Sequence, residues 1–430
     1  MKPRKSIAKF GGTSVKNAYA INKIVEILVN NSSIRFVVIS AIGDITDKLI
    51  ELCCSSTEQK ERIISEIKDI HLKIAQDLML PQEVCINIKD NISQLYSESS
   101  TNRILAIGEL LSSAIIHAFI YQQNIPVTLL DAREFIITDE NCVPKILEIK
   151  RLLSEKVNNI PQDHIIITQG FIGATQDGET TTLGRGCSDY SAALIAEGIE
   201  ADKLYIYTDV PGIFTMDPNV VENAQLISNL SFQEMAEMAN FGAKILHPAT
   251  LAPCIRASIP VIITSTFNPE KGSTYIADDD TPLVRAITMR NSQMLVTIKS
   301  LKMLNASGFL SNIFSILAKY KISVDLITTS EVSVALTIDQ SSNVFANKEL
   351  VQVLENFADI TIEYGLTLIA VIGVKLIAPG IVHKILSKIG DSFVHVICYG
   401  ASSSSIGILV HDRNAYEIAK VLHKELIEKK

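Results

Sequence analysis

The sequence predicts an α/β protein: a three-layer αβα sandwich around a mostly parallel sheet, followed by two ferredoxin-like βαββ modules. Three observations carry this prediction. Over residues 1–285, short apolar β-branched runs alternate with longer segments of helical spacing, the pattern of a parallel sheet covered by helices. Asn268–Pro282 then breaks the alternation with Pro269, Gly272, three consecutive aspartates (278–280) and Pro282, and reads as a boundary. Beyond it a β-α-β-β order occurs twice, at a spacing of about 75 residues, as expected for small repeated modules.

The strands expected in the first domain are Ser6–Phe10, Phe36–Ser40, Val127–Asp131, Ile165–Phe171, Leu204–Thr208 and Val261–Thr264. Helical spacing falls between them, over Ala18–Asn30, Ile104–Tyr121 and Ser188–Glu197. The first module is read as strand Met294–Lys299, helix Phe309–Tyr320, and strands Ser323–Thr328 and Val332–Ile338. The second is Leu368–Lys375, Ile381–Ile389, Val394–Tyr399 and Ile406–Val410, with helix Ala415–Leu426 after it. The expected domains are 1–285, then 286–350 completed by the C-terminal segment 411–430, then 351–410.

Composition narrows the function classes. With 430 residues, 47% hydrophobic and 20% charged, the chain is globular and multidomain. A net charge of −8 without a basic block gives no reason to expect nucleic acid. The two most apolar stretches are Ile104–Ile120, which carries Glu109 and His117, and Leu366–Val382, which carries Lys375 and Pro379-Gly380. Neither reaches a clean membrane span, so both are expected as buried elements and no membrane partner is expected. The basic N-terminus (Lys2, Arg4, Lys5) leads into a strand with Lys9 rather than an apolar leader. Seven cysteines, without a C-x-x-C pair, fit a reduced, cytoplasmic chain.

Four segments carry the chemistry. Lys9-Phe10-Gly11-Gly12-Thr13-Ser14-Val15 closes the first strand and opens a helix. Two glycines allow close backbone approach, a helix N-terminus offers unpaired N–H groups to phosphate, and Lys9 adds full charge. The lysine precedes the glycines, so this is not a Walker A loop. Thr182-Leu183-Gly184-Arg185-Gly186-Cys187-Ser188-Asp189 joins a loop to a helix. Ser188 or Asp189 can cap that helix. Arg185 is suited to clamp a carboxylate with two hydrogen bonds, and Asp189 to accept an ammonium. Glu109 stands in an apolar stretch where an unpaired carboxylate is costly. Alone, it would be read as a helix-surface residue; with Arg185 and Asp189 it makes one cation and two anions, the complement of an amino acid. The third segment, Thr208-Asp209-Val210-Pro211-Gly212-Ile213-Phe214-Thr215-Met216-Asp217-Pro218, is by composition an ordered loop. In the fourth, Phe241-Gly242-Ala243-Lys244-Ile245-Leu246-His247-Pro248, Lys244 lies among apolar residues, where a snorkelling side chain is the ordinary reading.

In this order the four segments resemble the aspartate kinases of the amino acid kinase superfamily, and the likeness runs over nearly the whole chain. The resemblance implies an αβα amino-acid-kinase sandwich and a phosphotransferase with a carboxyl acceptor. ATP and Mg²⁺ would be used to phosphorylate the side chain of L-aspartate, the first step toward lysine, diaminopimelate, threonine and methionine. It implies that Lys9, Gly11, Gly12, Ser40, Asp189 and Lys244 lie around the transferring phosphoryl group. It places aspartate against Thr46, Glu109, Arg185, Ser188 and Asp189. It places the nucleotide against Lys9, Gly11, Gly12, Thr208, Asp209, Phe214, Asp217, Lys244 and Ile245. No protein ligand of a metal is singled out.

The C-terminal modules resemble paired ACT domains, and Met303–Asp339 resembles those of the lysine-inhibited type. The implied effector contacts are Met303, Gly308, Phe309, Leu310, Asp325, Ser330 and Glu331. Asp325 and Glu331 would pair with the two ammonium groups of lysine, and the helix N-terminus near Gly308 with its carboxylate. Modules that only dimerise, with Asp325 as a turn residue, are the plainer alternative. A homodimer or larger homo-oligomer is expected.

Three positions depart from the family pattern. Cys187 replaces a glycine and is either a tolerated variant or, at a helix N-terminus that lowers a thiol's pKa, a reactive site that ATP would shield. Asn219 replaces an arginine after Asp-Pro, and Ala306-Ser307 replace Ser-Arg before Gly308. Two other functions compete: a related kinase acting on glutamate, acetylglutamate or a nucleoside monophosphate, and a lysine sensor that has lost catalysis.

Overall fold

The computed structural model describes residues 5–184, 188–243, 246, 248–277, 284–304, 307–340, 348–356, 358–390 and 392–429. They form two compact units. One comprises Met1–Ile213, Leu226–Phe232 and Leu246–Asp278; the other comprises Phe214–Gln225, Gln233–Ile245 and Asp279–Lys430.

The first unit holds strands β1 (Ser6–Phe10), β2 (Ile34–Ile39), β3 (Val127–Leu129), β4 (Ile165–Gln169), the hairpin β5 (Ile172–Ala174) and β6 (Thr180–Thr182), β7 (Lys203–Thr208), β8 (Asn229–Leu230), β9 (Val261–Ser265) and β10 (Ser273–Ile276). Its eight-stranded sheet runs β3-β4-β2-β1-β7-β9-β10-β8. Every neighbouring pair is parallel except β9 with β10. All six strands expected from periodicity are present, because strands covered on both faces are near-continuous apolar runs. Every residue of β2 is buried. Arg35 is tolerated there because its guanidinium donates to the carbonyls of Pro161 and Gln162 at 2.8 and 2.9 Å. The short β5, β6, β8 and β10 escape prediction, and Ser273–Ile276, within the expected boundary, is a strand of this sheet.

Helices of this unit are α1 (Ala18–Asn30), α2 (Ile45–Cys54), α3 (Thr57–Asp77), α4 (Gln82–Ser93), α5 (Thr101–Gln122), α6 (Ile146–Asn158), α7 (Ser188–Ile199) and α9 (Ala252–Arg256). Helix α8 (Phe232–Asn240) belongs with the second unit from Gln233 on. Asn17 starts α1 by accepting from Ala20 N at 2.9 Å. The strands alternate their faces. Ala8, Phe10, Val37, Ile39 and Ile167 enter a core shared with α1, α2, α3 and α5. Ile7, Phe36, Val38 and Ile166 are equally buried on the opposite face, and Lys9, which shares that face, reaches Asp189 at the start of α7. Helix α5 is long and apolar enough to cross a membrane, yet Ile104, Leu111, Ile115 and Ile120 are all buried in this core.

The second unit is a six-stranded antiparallel sheet, β12-β13-β11-β14-β16-β15. Its strands are β11 (Val284–Lys299), β12 (Leu326–Thr329), β13 (Ser333–Asp339), β14 (Asp359–Gly373), β15 (Val394–Cys398) and β16 (Ser405–His411). The long strands β11 and β14 serve both modules. Gln293–Lys299 pairs with β13 and the first half of β14, whereas Val284–Arg290 pairs with the second half of β14, which also takes β16. Helices α10 (Phe309–Lys319) and α11 (Lys348–Glu355) cover the first module, and α12 (Ile381–Leu386) and α13 (Asp412–His423) the second. Leu350 and Leu354 of α11 fill a core with Val296 and Leu336. Ile418, Leu422 and Leu426 fill another with Ile287, Ile369 and Ile408. The C-terminal segment therefore packs on the second module, not on the first as expected. Its apolar stripe has the same helical period as α11, and only strand pairing decides which sheet half receives it.

Candidate active site

In open parallel sheets, ligands gather at the carboxyl ends of the strands. Here the ends of β1 and β2 are laced together. Ser40 N donates to Phe10 O at 3.2 Å and Gly43 N to Gly12 O at 3.1 Å. A Cβ on Gly12 would lie 2.7 Å from Gly43 O and 3.1 Å from Ala41 O, so only glycine lets the two loops run side by side. Beyond it Gly12–Val15 forms a 3₁₀ turn. The Ser14 hydroxyl, 2.7 Å from Thr266 Oγ1 and 3.3 Å from Tyr207 O, pins that turn to β7 and to the end of β9.

Three ionisable side chains meet at this edge. Lys9 Nζ lies 2.8 Å from Asp189 Oδ1, and the two side chains are only 12% and 16% exposed. Glu109 is carried in by α5, where Gly108 packs so closely on Ala41 that a Cβ would come within 2.9 Å of it. Glu109 Oε1 accepts from Ala41 N at 3.1 Å, while Oε2 is buried without a partner. Burial pushes the Glu109 carboxyl up to about 8; the Ala41 N–H and the charge of Lys9 pull the other way. Burial thus biases this carboxyl toward its neutral form, a bias that a cation beside it would relieve.

The N-terminus of α7 is seated by contacts that sequence reasoning missed. A Cβ on Gly170 would sit 2.6 Å from Ser188 Cβ, and Ser191 Oγ accepts from Phe171 N at 2.8 Å. Ser112 Oγ donates to Ser40 O at 2.8 Å and holds the loop after β2 against α5. A glycine directly after an apolar run was the available signal for Gly170; nothing local marks Ser112 or Ser191. Ser188 is buried beside Asp189, and Thr46 is half-buried in the first turn of α2. Arg185, Cys187, Lys244 and Ile245 lie outside the described residues.

Thr208 ends β7 in the first unit and Asp209 follows it, the Thr208 hydroxyl donating to Asp209 Oδ1 at 3.1 Å. Phe214 and Asp217 belong to the second unit. Asp217 Oδ1 accepts from the backbone N of Asn219 at 2.9 Å and from its side-chain amide at 3.0 Å. Asn219 therefore closes an Asx turn on Asp217.

Of the expected effector residues, Met303, Gly308, Phe309, Leu310 and Glu331 line one open groove of about 720 Å³ at the start of α10. Gly308 caps that helix at φ +85°, a left-handed conformation suited to glycine. Asp325 and Ser330 do not line it. Asp325 Oδ1 lies 2.8 Å from Arg290 Nη1, and burial raises its carboxyl above the ordinary value. The hydroxyls of Ser330 and Ser333 close a turn at 2.7 Å.

The chain matches the profile described as "Amino acid kinase family" over residues 4–265 and that described as "ACT domain" over residues 296–353. Lysine-sensitive aspartokinase 3 of Escherichia coli (strain K12) is 38% identical over 445 aligned residues, covering 98% of this chain and 99% of that one. Aspartokinase of Chlamydia pneumoniae is 35% identical, covering 99% and 98%. Two crystal structures of E. coli aspartokinase III superpose with a TM-score of 0.82 at 36% identity. The one with aspartate and ADP (R-state) covers 98% of this chain and 99% of that chain; the one with lysine and aspartate (T-state) covers 99% and 100%. The chain belongs to the amino acid kinase family and, within it, to the aspartokinases.

Proposed function

We propose that this chain transfers the γ-phosphoryl group of MgATP to the side-chain carboxylate of L-aspartate, releasing ADP and 4-phospho-L-aspartate, and that L-lysine inhibits it through the first ACT-like module. The observation that carries the reading is Glu109. A buried carboxyl with an unpartnered oxygen near a lysine–aspartate pair asks for an incoming ammonium. The substrate ammonium would complete that site, with Asp189 and Thr46 beside it and Arg185 on the α-carboxylate.

A side-chain oxygen of aspartate then attacks the γ-phosphorus as the bond to the β-phosphate oxygen breaks. No general base is required, since that carboxylate is already ionised at neutral pH. Catalysis rests on position and charge: Lys9, Lys244 and the N–H groups around Gly11 and Gly12 offset the repulsion between two anions. Mg²⁺, carried on the phosphates, would neutralise charge there. Thr208, Asp209, Phe214 and Asp217 take the nucleotide roles of the family pattern. The groove at Met303, Phe309, Leu310 and Glu331 takes lysine, favouring an inactive arrangement.

The kinase domain is proposed to end near residue 285, with 284–290 lent to the second module. A homodimer assembled through the ACT-like sheet, in the cytoplasm, completes the proposal. The six described cysteines are all free, in keeping with a reducing compartment.

The test is hydroxylamine trapping of the acyl phosphate from MgATP and L-aspartate, with and without lysine. Aspartyl hydroxamate that falls as lysine rises is the expected result. Larger product from glutamate would move the assignment to another acceptor, and lysine binding without any turnover would make the chain a sensor.

A further inference from the structure

The loop that carries Phe214 and Asp217 is built into the core of the second module. Thr215 N donates to Gln225 O, and Ile287 N of β11 donates to Thr215 O, both at 2.8 Å. Met216 and Val221 are buried in the same cluster as Leu422 and Leu426. The Thr215 hydroxyl accepts from Gln225 N at 2.9 Å and lies 2.9 Å from Nε2 of His423, the last residue of α13.

His423 is fully buried, and both ring nitrogens are engaged. Its Nδ1 lies 2.8 Å from Oε1 of Glu428, whose Oε2 accepts from Asn223 Nδ2 at 3.3 Å. Residues Lys424–Glu428 form a π turn, whose five-residue step brings Glu428 back over His423. With a carboxylate accepting at Nδ1, that nitrogen carries the proton. In the neutral ring Nε2 then offers its lone pair, and the Thr215 hydroxyl donates to it. The relay from Gln225 N through Thr215 and His423 to Glu428 is directional, and every hydrogen-bonding atom in it is satisfied.

We propose that His423 is a positioning residue for the nucleotide: through Thr215, with Glu428 fixing its tautomer, it holds the loop from which Phe214 and Asp217 meet ATP. This rests on the nucleotide role proposed above for those two residues. A histidine that merely filled the core would affect stability and leave nucleotide affinity alone.

The test uses the full chain and three variants. His423→Leu removes both hydrogen bonds, Thr215→Val removes one hydroxyl with its shape kept, and His423→Gln keeps a polar partner near Nε2. Binding of the fluorescent analogue mant-ADP with Mg²⁺ and the KM values for MgATP and aspartate are measured. The Leu and Val variants are expected to weaken mant-ADP and raise the MgATP KM about tenfold, the effect of one buried hydrogen bond. The aspartate KM should stay within about twofold, and His423→Gln should recover most of the loss. Folded variants that bind mant-ADP like the wild type, or that raise both KM values equally, overturn the proposal. If His423→Leu fails to fold, Thr215→Val decides. Hydroxamate formation by the wild type reports on the kinase reading independently of these ratios, and a wild type that takes no mant-ADP overturns the nucleotide role itself.

Discussion

Replacing Glu109 by glutamine separates the electrostatics of the site from its shape. The Glu109 carboxyl sits at about 8 in the folded protein against an ordinary 4.5. Its folded value is raised, so between these two pH values the folded chain binds more protons than the unfolded chain, and this group lowers stability progressively as pH rises from 4.5 to 8. At pH 7 the cost of keeping it protonated is on the order of 3 kcal/mol, and at pH 8 and above on the order of 5. The Glu109→Gln variant carries no such cost. Its amide NH₂ would lie where Oε2 now lies buried without a partner, a penalty of about 1–3 kcal/mol that does not change with pH. The variant is therefore expected to be no more stable than the wild type at pH 5 and more stable at pH 8, with a gap that widens by up to about 1.4 kcal/mol per pH unit. Thermal unfolding of both proteins without substrate, from pH 5 to 9, reads this directly. Aspartate KM should rise about a hundredfold in the same variant, because the substrate ammonium loses a buried ionic partner. A difference in Tm that stays constant across the pH range would refute the reasoning.

Three further outcomes follow from the geometry. Lys9→Ala should lower turnover by about 10²–10³, the usual effect of losing one transition-state donor, and single-turnover hydroxamate formation checks it; near wild-type turnover would remove Lys9 from the reaction. Gly12→Ala forces a Cβ to within 2.7 Å of Gly43 O, so the loop that aims Ala41 N at Glu109 must shift; titration should show weaker aspartate and MgATP binding together, and unchanged affinities would mean that the loop gives way freely. His71 is buried in α3 with Nδ1 2.7 Å from Ile67 O, Nε2 without a partner, and burial pushes it down to about 4. Its folded value is depressed below the ordinary 6.5, so stability should fall as pH drops from 6.5 to 4. His71→Leu should remove up to about 3 kcal/mol of that loss, seen as a flatter Tm profile; an unchanged slope would assign the acid sensitivity elsewhere.

The catalytic-domain strands were legible because each is a local apolar run bounded by turn residues, and β1 and α1 fall where periodicity puts them. The motifs were legible for a similar reason: Lys9, Gly11, Gly12, Ser188 and Asp189 lie at strand ends and helix starts, whose positions are set by near neighbours in the chain. Glu109 stood out as a carboxyl in an apolar helix. The upward shift of its pKa could not be read, because it depends on burial and on Ala41 and Lys9, none of which adjoins it in sequence.

The same distinction explains the rest. The βαββ repeat is visible in the order of elements, whereas the sharing of β11 and β14 between two modules depends on which strands pair over distances of about 75 residues, where loop closure and core burial decide. The sequence read Asp325 as a lysine contact, but only the fold brings Arg290 within 2.8 Å of it, so any effector must compete with a partner already in place. His423 and Thr215 are 208 positions apart, and neither belongs to a pattern that marks it. Local periodicity and turn chemistry are written along the chain; pKa shifts, ion-pair partners and the support of the loop that carries Phe214 and Asp217 are set by burial, which exists only once distant segments have packed together.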